Sequence, residues 1–101
     1  MERRLQLQAK FEEILGSSNV HFQPPESIKL NYPCILYELT GVDTLRADDI
    51  LYGSKRRYMV TLIEPDPDSE YIDKILELPY CTLDRPFMAD NLNHYAFTLY
   101  Y

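Results

Sequence analysis

Two runs of strand-forming residues on either side of a turn-forming pair constrain the fold more than any other feature of this sequence. The first run covers residues 34–39 and the second covers residues 57–63. Between them, Asp48 and Asp49 are adjacent residues of a type that tolerates positive φ, which the tight turns of β-hairpins need. The sequence therefore predicts one long β-hairpin that spans both runs.

The hydrophobic pattern tests the register of this hairpin. Side chains alternate between the two faces of a strand, so a slip of one residue would move the apolar set to the other face. With the turn at Asp48 and Asp49, every inward position of one run lies opposite an apolar residue of the other. The predicted pairs, which form the buried face, are Ile35 with Leu62, Tyr37 with Val60, and Leu39 with Tyr58.

The hairpin is predicted to be longer than the domain that carries it. The 101 residues make a single domain, residues 1–101, with a diameter of about 33 Å. The 14 residues from Cys34 to Ala47 span roughly 45 Å as a strand. Either the strands bend, with Gly41 and Gly53 as candidate bend points, or the tip projects. Isolated hairpins are marginally stable in water, so a projecting tip is expected to contact a partner.

The outer half of the hairpin combines apolar side chains with charges of both signs. The same register places Leu45 opposite Tyr52 and Ala47 opposite Ile50, and a basic cluster follows on the return strand, near Asp43. This combination is typical of subunit contacts, although an ordinary surface loop on a bent hairpin would show it too. The predicted subunit interface comprises Leu45, Arg46, Ala47, Asp48, Asp49, Ile50, Tyr52, Lys55, Arg56 and Arg57.

One helix is predicted on each side of the hairpin. The first covers residues 2–15, ends at Gly16, and presents an apolar stripe. The second is expected to start with Asp66 as its cap and Pro67 in its first turn, and to end at Pro79. The stripe of the first helix consists of Leu7, Phe11, Ile14 and Leu15.

Two further strands, residues 80–88 and 92–101, are predicted to follow the second helix. A two-residue turn at Asp90 and Asn91 would place Phe97 opposite Asp84, so a three-residue bulged loop is preferred. The order of elements predicts an α+β fold: a mainly antiparallel sheet of four to five strands, two helices on one face, and a long protruding β-hairpin. The bulged loop pairs Phe87 with Tyr95, Leu83 with Leu99, and Cys81 with Tyr101.

Residues that could carry chemistry are few. His21 and His94 lack the spacing of a metal site, and no CxxC or P-loop occurs, so neither a metal nor a cofactor is expected. Cys81 with His94 and Asn93 resembles a nucleophile arrangement, but no electropositive site that would activate the thiol is visible. Cys34 and Cys81 are most simply reduced core residues. The sequence therefore predicts a protein that is not an enzyme.

Composition, charge and hydropathy argue against several further classes. The hydrophobic fraction of 46% is ordinary for a globular chain. The formal net charge of -6 opposes non-specific binding to nucleic acid, which needs a basic face. No run of eighteen apolar residues occurs, so no membrane-spanning helix is expected. The first ten residues, MERRLQLQAK, lack the apolar core of a secretory signal.

Several segments, taken in order, resemble a known family. The amphipathic first helix is followed by FQPP, YPCILYEL, RADDILY, KRRYMVTLIEPDPDS, KILELPYC and DRPFMADNLNHYAFTLYY. Across nearly the whole chain this order resembles the small tail-terminator, or tail-completion, proteins of long-tailed bacteriophages (siphophages). The resemblance implies a structural virion protein of the tail and neck, assembled in the cytoplasm of the host bacterium.

The resemblance also implies a set of partners. Such proteins form a ring, commonly a hexamer, that caps the last ring of tail-tube protein, stops tube growth and joins the head–tail connector protein. Genome DNA passes through the lumen without specific binding. The resemblance transfers no individual site residue, because the contact residues of the family vary.

Two other functions fit the same residues. One is another ring-forming neck, head-closure or tail-tube-like protein, which would differ mainly in its neighbours. The other is a small monomeric protein that binds a host factor through a tyrosine-rich surface, since the chain has nine tyrosines and tyrosine is enriched at interfaces. Oligomeric state separates the monomeric class from the ring-forming ones.

Overall fold

Five strands in one mixed sheet and two helices make up the fold. A computed structural model describes residues 3–25, 27–47 and 50–101, with side chains described outside residues 43–55. In chain order the elements are α1 (Arg3–Leu15), β1 (Val20–Phe22), β2 (Cys34–Ala47), β3 (Ile50–Glu64), α2 (Tyr71–Leu76), β4 (Cys81–Ala89) and β5 (Leu92–Tyr100).

The sheet has the strand order β1-β2-β3-β5-β4. β1 runs parallel to β2, and the other three pairs of neighbouring strands are antiparallel. The predicted α+β class with two helices is therefore confirmed, while the short extended segment after the first helix adds a parallel edge strand. Parallel pairing requires a crossover connection, and residues 23–33 provide it.

The core lies between the two helices and one face of the sheet. Of the predicted stripe of α1, Leu7, Phe11 and Leu15 are buried and Ile14 is partly buried. Gly16 ends this helix at a φ of 72°, a conformation that glycine adopts at little cost. From the rest of the chain, the same core includes Val20, Ile35, Tyr37, Tyr58, Val60, Leu62, Ile75, Tyr95, Phe97 and Leu99.

The inner half of the long hairpin has the predicted register. Ile35 pairs with Leu62, Tyr37 with Val60, and Leu39 with Tyr58. Five of these six side chains are buried, but the prediction is wrong for Leu39, which is 40% exposed. β1 ends opposite Tyr37, so the parallel strand that flanks β2 stops before it reaches this position.

Two irregularities shift the register in the outer half of the hairpin. The first lies between Leu39 and Gly41 and the second between Leu45 and Arg46. Ala47 pairs with Ile50 as predicted, whereas Leu45 pairs with Gly53 instead of Tyr52. β-bulges are frequent where long strands twist or bend, and these two lie next to Gly41 and Gly53, the predicted bend points.

The outer half of the hairpin is a two-stranded ribbon. β3 pairs with β5 only from Arg57 to Glu64, and β2 pairs with β1 only from Ile35 to Tyr37. Beyond these limits, β2 and β3 pair with no third described strand, and the backbone contact from the rest of the sheet is the Tyr101 N–H, which donates to the Arg56 carbonyl at 2.9 Å. The molecule measures 51 × 24 × 24 Å, so its longest dimension exceeds the diameter of about 33 Å expected for a compact domain of this length.

The turn between β4 and β5 differs from the prediction. It is a two-residue turn: Ala89 pairs with Leu92, and both Asp90 and Asn91 have positive φ, 53° and 62°. The bulge that was predicted in the loop lies instead within β4, between Leu83 and Arg85. Asp and Asn at the turn favour the tight two-residue geometry, and the bulge in the strand restores apolar pairing, of Leu83 with Phe97 and Cys81 with Leu99.

The second helix starts later than predicted. α2 covers only Tyr71–Leu76, and its N-cap is Glu70 rather than Asp66. The Asp66 carboxylate instead accepts a hydrogen bond from the backbone N–H of Asp68 at 2.9 Å. Asp side chains often form such turns with the backbone two residues further along the chain. Asp66 therefore belongs to a turn that precedes the helix and does not cap the helix itself.

Candidate functional site

Most of the predicted interface lies where side chains are not described. Asp48 and Asp49 lie outside the described residues. For the other predicted positions from Leu45 to Lys55, the structure describes the backbone alone, and the second register shift leaves Tyr52 without a paired residue. Arg56 and Arg57 are the two predicted interface residues whose side chains are described, and both lie at the base of the ribbon.

Arg57 supports the bulge in β2. Its Nε donates a hydrogen bond to Thr40 Oγ1 at 3.3 Å, and its Nη2 donates to the Thr40 carbonyl at 3.4 Å. Thr40 Oγ1 in turn donates to the Arg57 carbonyl at 3.0 Å. A Cβ at Gly41 would lie 2.5 Å from Arg57 Nη2, so glycine permits this close approach. Arg57 therefore holds the point where the ribbon leaves the sheet.

Arg56 lies in a cleft together with two arginines from the first helix. The cleft has a volume of about 390 Å³ and opens at the base of the ribbon. Arg3 and Arg4 at the start of α1 form one side, and Arg56 on β3 forms another. We call this feature the arginine cleft, and its lining residues are Arg3, Arg4, Phe22, Leu39, Arg56 and Tyr58.

Aromatic rings hold two of these arginines in place. The Arg4 guanidinium lies 4.7 Å from the centre of the Phe22 ring, and the Arg3 guanidinium lies 5.7 Å from that of Tyr101. Arg4 Nη1 also donates to the Tyr37 hydroxyl at 3.4 Å. Arginine stacked on aromatic faces loses less conformational freedom when it binds a further group. The cleft is therefore partly organised before any partner arrives.

Among the described residues, the positive charge of the arginine cleft is not balanced. None of its described lining residues is acidic, and no described carboxylate forms an ion pair with Arg3, Arg4 or Arg56. The chain as a whole has a net charge of -6, which is opposite in sign to the charge of this cleft. Apolar surface from Leu39 and Phe22 adjoins the guanidinium groups, as in protein–protein interfaces, where arginine and aromatic residues are enriched.

An acidic loop lies at the other end of β3. This acidic loop, residues 64–70 with the sequence EPDPDSE, follows the end of the strand, and its Asp66, Asp68 and Glu70 are exposed. Two hydrogen bonds attach it to β5: Asn93 Nδ2 donates to the Pro65 carbonyl at 3.3 Å, and the Tyr95 hydroxyl donates to that of Pro67 at 3.4 Å. The carboxylates are thus presented on an anchored segment.

The two edges of the sheet differ in what they offer to another strand. β4 contains Pro86, which has no N–H to donate, and a bulge between Leu83 and Arg85. Such features block pairing with a further strand. At the other edge, β1 is short, and the last backbone contact on its side of β2 is the Leu39 N–H, which donates to Gln23 Oε1 at 3.2 Å. Apart from the outer edge of the three-residue β1, the unblocked backbone edges of the described strands therefore belong to the ribbon.

The structure separates the residues of the possible nucleophile arrangement. Cys81 pairs with Leu99, whereas His94 pairs with Phe87 and stacks on it, with ring centres 4.9 Å apart. Cys81 and His94 thus lie near opposite ends of the same strand pair. Burial, with a smaller effect from Asp84, raises the pKa of the Cys81 thiol to about 11. A thiol with that pKa is almost wholly protonated at neutral pH, so it is a poor nucleophile.

The Cys81 thiol is expected to alkylate slowly near neutral pH and faster as the pH approaches 11. Its pKa lies above the ordinary value of 9.0, so the thiolate fraction at pH 7 is about 100-fold lower than in the unfolded chain. Iodoacetamide labelling of a Cys34→Ala variant, followed by mass spectrometry, measures this rate. The same variant in denaturant is the control, and equal rates in both states at pH 7 would contradict the prediction.

Within the described residues, other kinds of site find no support. No group of three His, Cys, Asp or Glu side chains lies close enough together to hold a metal ion. No described helix is both long and apolar enough to cross a membrane. No protein-family model matches the chain, and no curated protein is significantly similar to it in sequence.

Proposed function

We propose that this chain is a structural subunit, without enzymatic activity, that assembles with copies of itself through the outer half of its hairpin. The observation that carries the proposal is the two-stranded ribbon beyond Gly41 and Arg57, whose backbone edges pair with no third described strand. A two-stranded hairpin is marginal in water, and its open edges are templates for pairing with another chain. An assembled neighbour supplies the missing contacts.

The assembly we propose is the ring that closes a phage tail. The resemblance to tail-terminator proteins supports a ring, hexameric in the common case, that caps the tail tube, stops its growth and joins the head–tail connector. A subunit with a blocked edge at β4 and an open ribbon suits this role, because strand addition is then directed to the ribbon. The negative net charge suits a ring through which DNA passes without being held.

Size-exclusion chromatography with light scattering, with and without tail tubes of the phage that encodes the chain, tests the proposal. We expect a species several times larger than the 11.9 kDa monomer, or a ring on the tube end visible by electron microscopy. A chain that stays monomeric at high concentration and forms no ring on tail tubes would refute the proposal.

Charge at the ribbon is expected to abolish this assembly. In the double variant Leu45→Asp/Tyr52→Asp, two apolar residues of the proposed interface become carboxylates, which lose most of their hydration if a neighbour covers them. We expect an unchanged circular dichroism spectrum and complete loss of the ring. The control is Met59→Asp, which adds a carboxylate on the inner half of β3, where the side chain is exposed. A ring that still forms in the double variant would show that the ribbon is not a subunit contact.

A further inference from the structure

The arginine cleft and the acidic loop are complementary in charge, and both are exposed. Three arginines line the cleft, and the loop presents three exposed carboxylates on residues 66, 68 and 70. No described ion pair neutralises either set. Opposite potentials on two surfaces favour their association and fix its orientation.

One chain cannot join its own cleft to its own loop. Tyr58 lines the cleft and Glu64 begins the loop, and both belong to β3. The six residue steps of extended strand from one to the other span about 20 Å. Hydrogen bonds to β5 hold the loop at its end of the strand, so it does not swing back. The complementary surfaces can therefore meet only between two molecules.

We propose that the acidic loop of one copy docks in the arginine cleft of the next copy, in a head-to-tail contact. The carboxylates of Asp68 and Glu70 lie against the guanidinium groups of Arg3 and Arg56, and the prolines of the loop pack on the apolar wall formed by Phe22 and Leu39. This inference rests on the proposed self-assembly, but it places a contact outside the ribbon.

A head-to-tail contact has a geometric consequence. Each copy uses two different surfaces, so the contact repeats along a series of copies and gives a closed ring if the rotation between neighbours closes, or a filament if it does not. A two-fold dimer would instead pair both clefts with both loops across one symmetric interface. The size of the complex in sedimentation equilibrium therefore separates a ring or filament from an isolated pair.

Two charge-reversed variants test the contact. The cleft variant is Arg3→Glu/Arg56→Glu, and the loop variant is Asp68→Lys/Glu70→Lys. Arg4 is kept because it bonds to Tyr37, and Asp66 is kept because its carboxylate accepts the Asp68 N–H. All four substituted side chains are exposed, so both variants are expected to fold, as circular dichroism will check.

Sedimentation equilibrium of each variant alone and of an equal mixture is the decisive measurement. Alone, each variant places like charges in contact, and we expect its self-association to be at least about tenfold weaker than that of wild type. In the mixture every cleft meets a loop of opposite charge, so association is expected to return to within about threefold of wild type. Wild-type association should also weaken in about 0.5 M salt, which screens exposed charges.

Three results would overturn the docking. They are association unchanged in both variants, loss of association without recovery in the mixture, and a wild-type chain that stays monomeric at about 1 mM. These failures are separable from failure of the proposed function. If the docking variants still form rings on tail tubes and the ribbon variant does not, assembly through the ribbon is supported and docking of the loop in the cleft is refuted. If the wild-type chain forms no ring either in solution or on tail tubes, both the docking and the proposed function are refuted.

Discussion

Replacing Val60 with Asp is expected to leave the chain unfolded at 25 °C. Val60 lies on β3 between β2 and β5, and its side chain is 0% exposed in the core. The substitution removes about 1.5–3 kcal/mol of apolar burial. It also buries a carboxylate with no partner, at a cost of several kcal/mol more. Domains of this size have about 5–15 kcal/mol of total stability, so the loss is expected to consume most or all of it.

The neighbouring residue supplies the control. Met59 precedes Val60 on the same strand, points to the other face and is 44% exposed. A carboxylate there keeps its hydration, so Met59→Asp is expected to change the free energy of unfolding by less than about 1 kcal/mol. Far-UV circular dichroism and urea titration of both variants measure the difference. A folded Val60→Asp variant as stable as Met59→Asp would mean that the assigned buried face of the sheet is wrong.

Replacing Phe11 with Ala is expected to lower the free energy of unfolding by about 3–5 kcal/mol. Phe11 is 0% exposed, and its ring meets Tyr37 edge to face with centres 5.2 Å apart. The substitution leaves a cavity between α1 and the sheet and removes this aromatic contact. For a domain of this size the melting temperature is expected to fall by roughly 12–40 °C.

A second residue of the same helix serves as the comparison. Leu5 on α1 is 43% exposed, so Leu5→Ala removes little buried surface and is expected to cost less than about 1 kcal/mol. Neither substitution weakens the helix itself, because Ala is the best helix former. The two variants therefore differ in the buried surface that each one removes. Thermal and urea unfolding of the two variants measure the contrast. Equal losses would show that α1 does not pack on the sheet through Phe11.

The parts of the fold that were predictable are those specified by local pattern. The register of the inner hairpin follows from alternation in two runs that meet across a turn, because a slip of one residue would expose every apolar side chain. Pairs such as Ile35 with Leu62 were therefore predictable. The stripe of α1 and the end of that helix at Gly16 follow in the same way from helical periodicity and from the freedom of glycine at positive φ.

The errors arose where one signal has two structural uses. Asp66 and Pro67 begin a helix in many proteins, but here Asp66 closes a turn and the helix begins at Tyr71. Between β4 and β5, a two-residue turn without a bulge would pair Phe97 with Asp84. This mismatch correctly indicates a bulge, but the bulge lies within β4 and not in the loop. A bulge in the loop and a bulge in the strand restore the same apolar alternation, so pattern alone does not distinguish them.

By itself, the sequence determined the α+β class, the long hairpin with its buried inner face, and the charged outer half. Only the tertiary structure decided that Arg3, Arg4 and Arg56 share one cleft, that the acidic loop lies at the other end of β3, and that the ribbon has no third described strand beside it. The reason is physical. Periodicity indicates which face of a helix or strand is buried. The cleft depends instead on where the ends of α1, β1, β2 and β3 lie relative to one another.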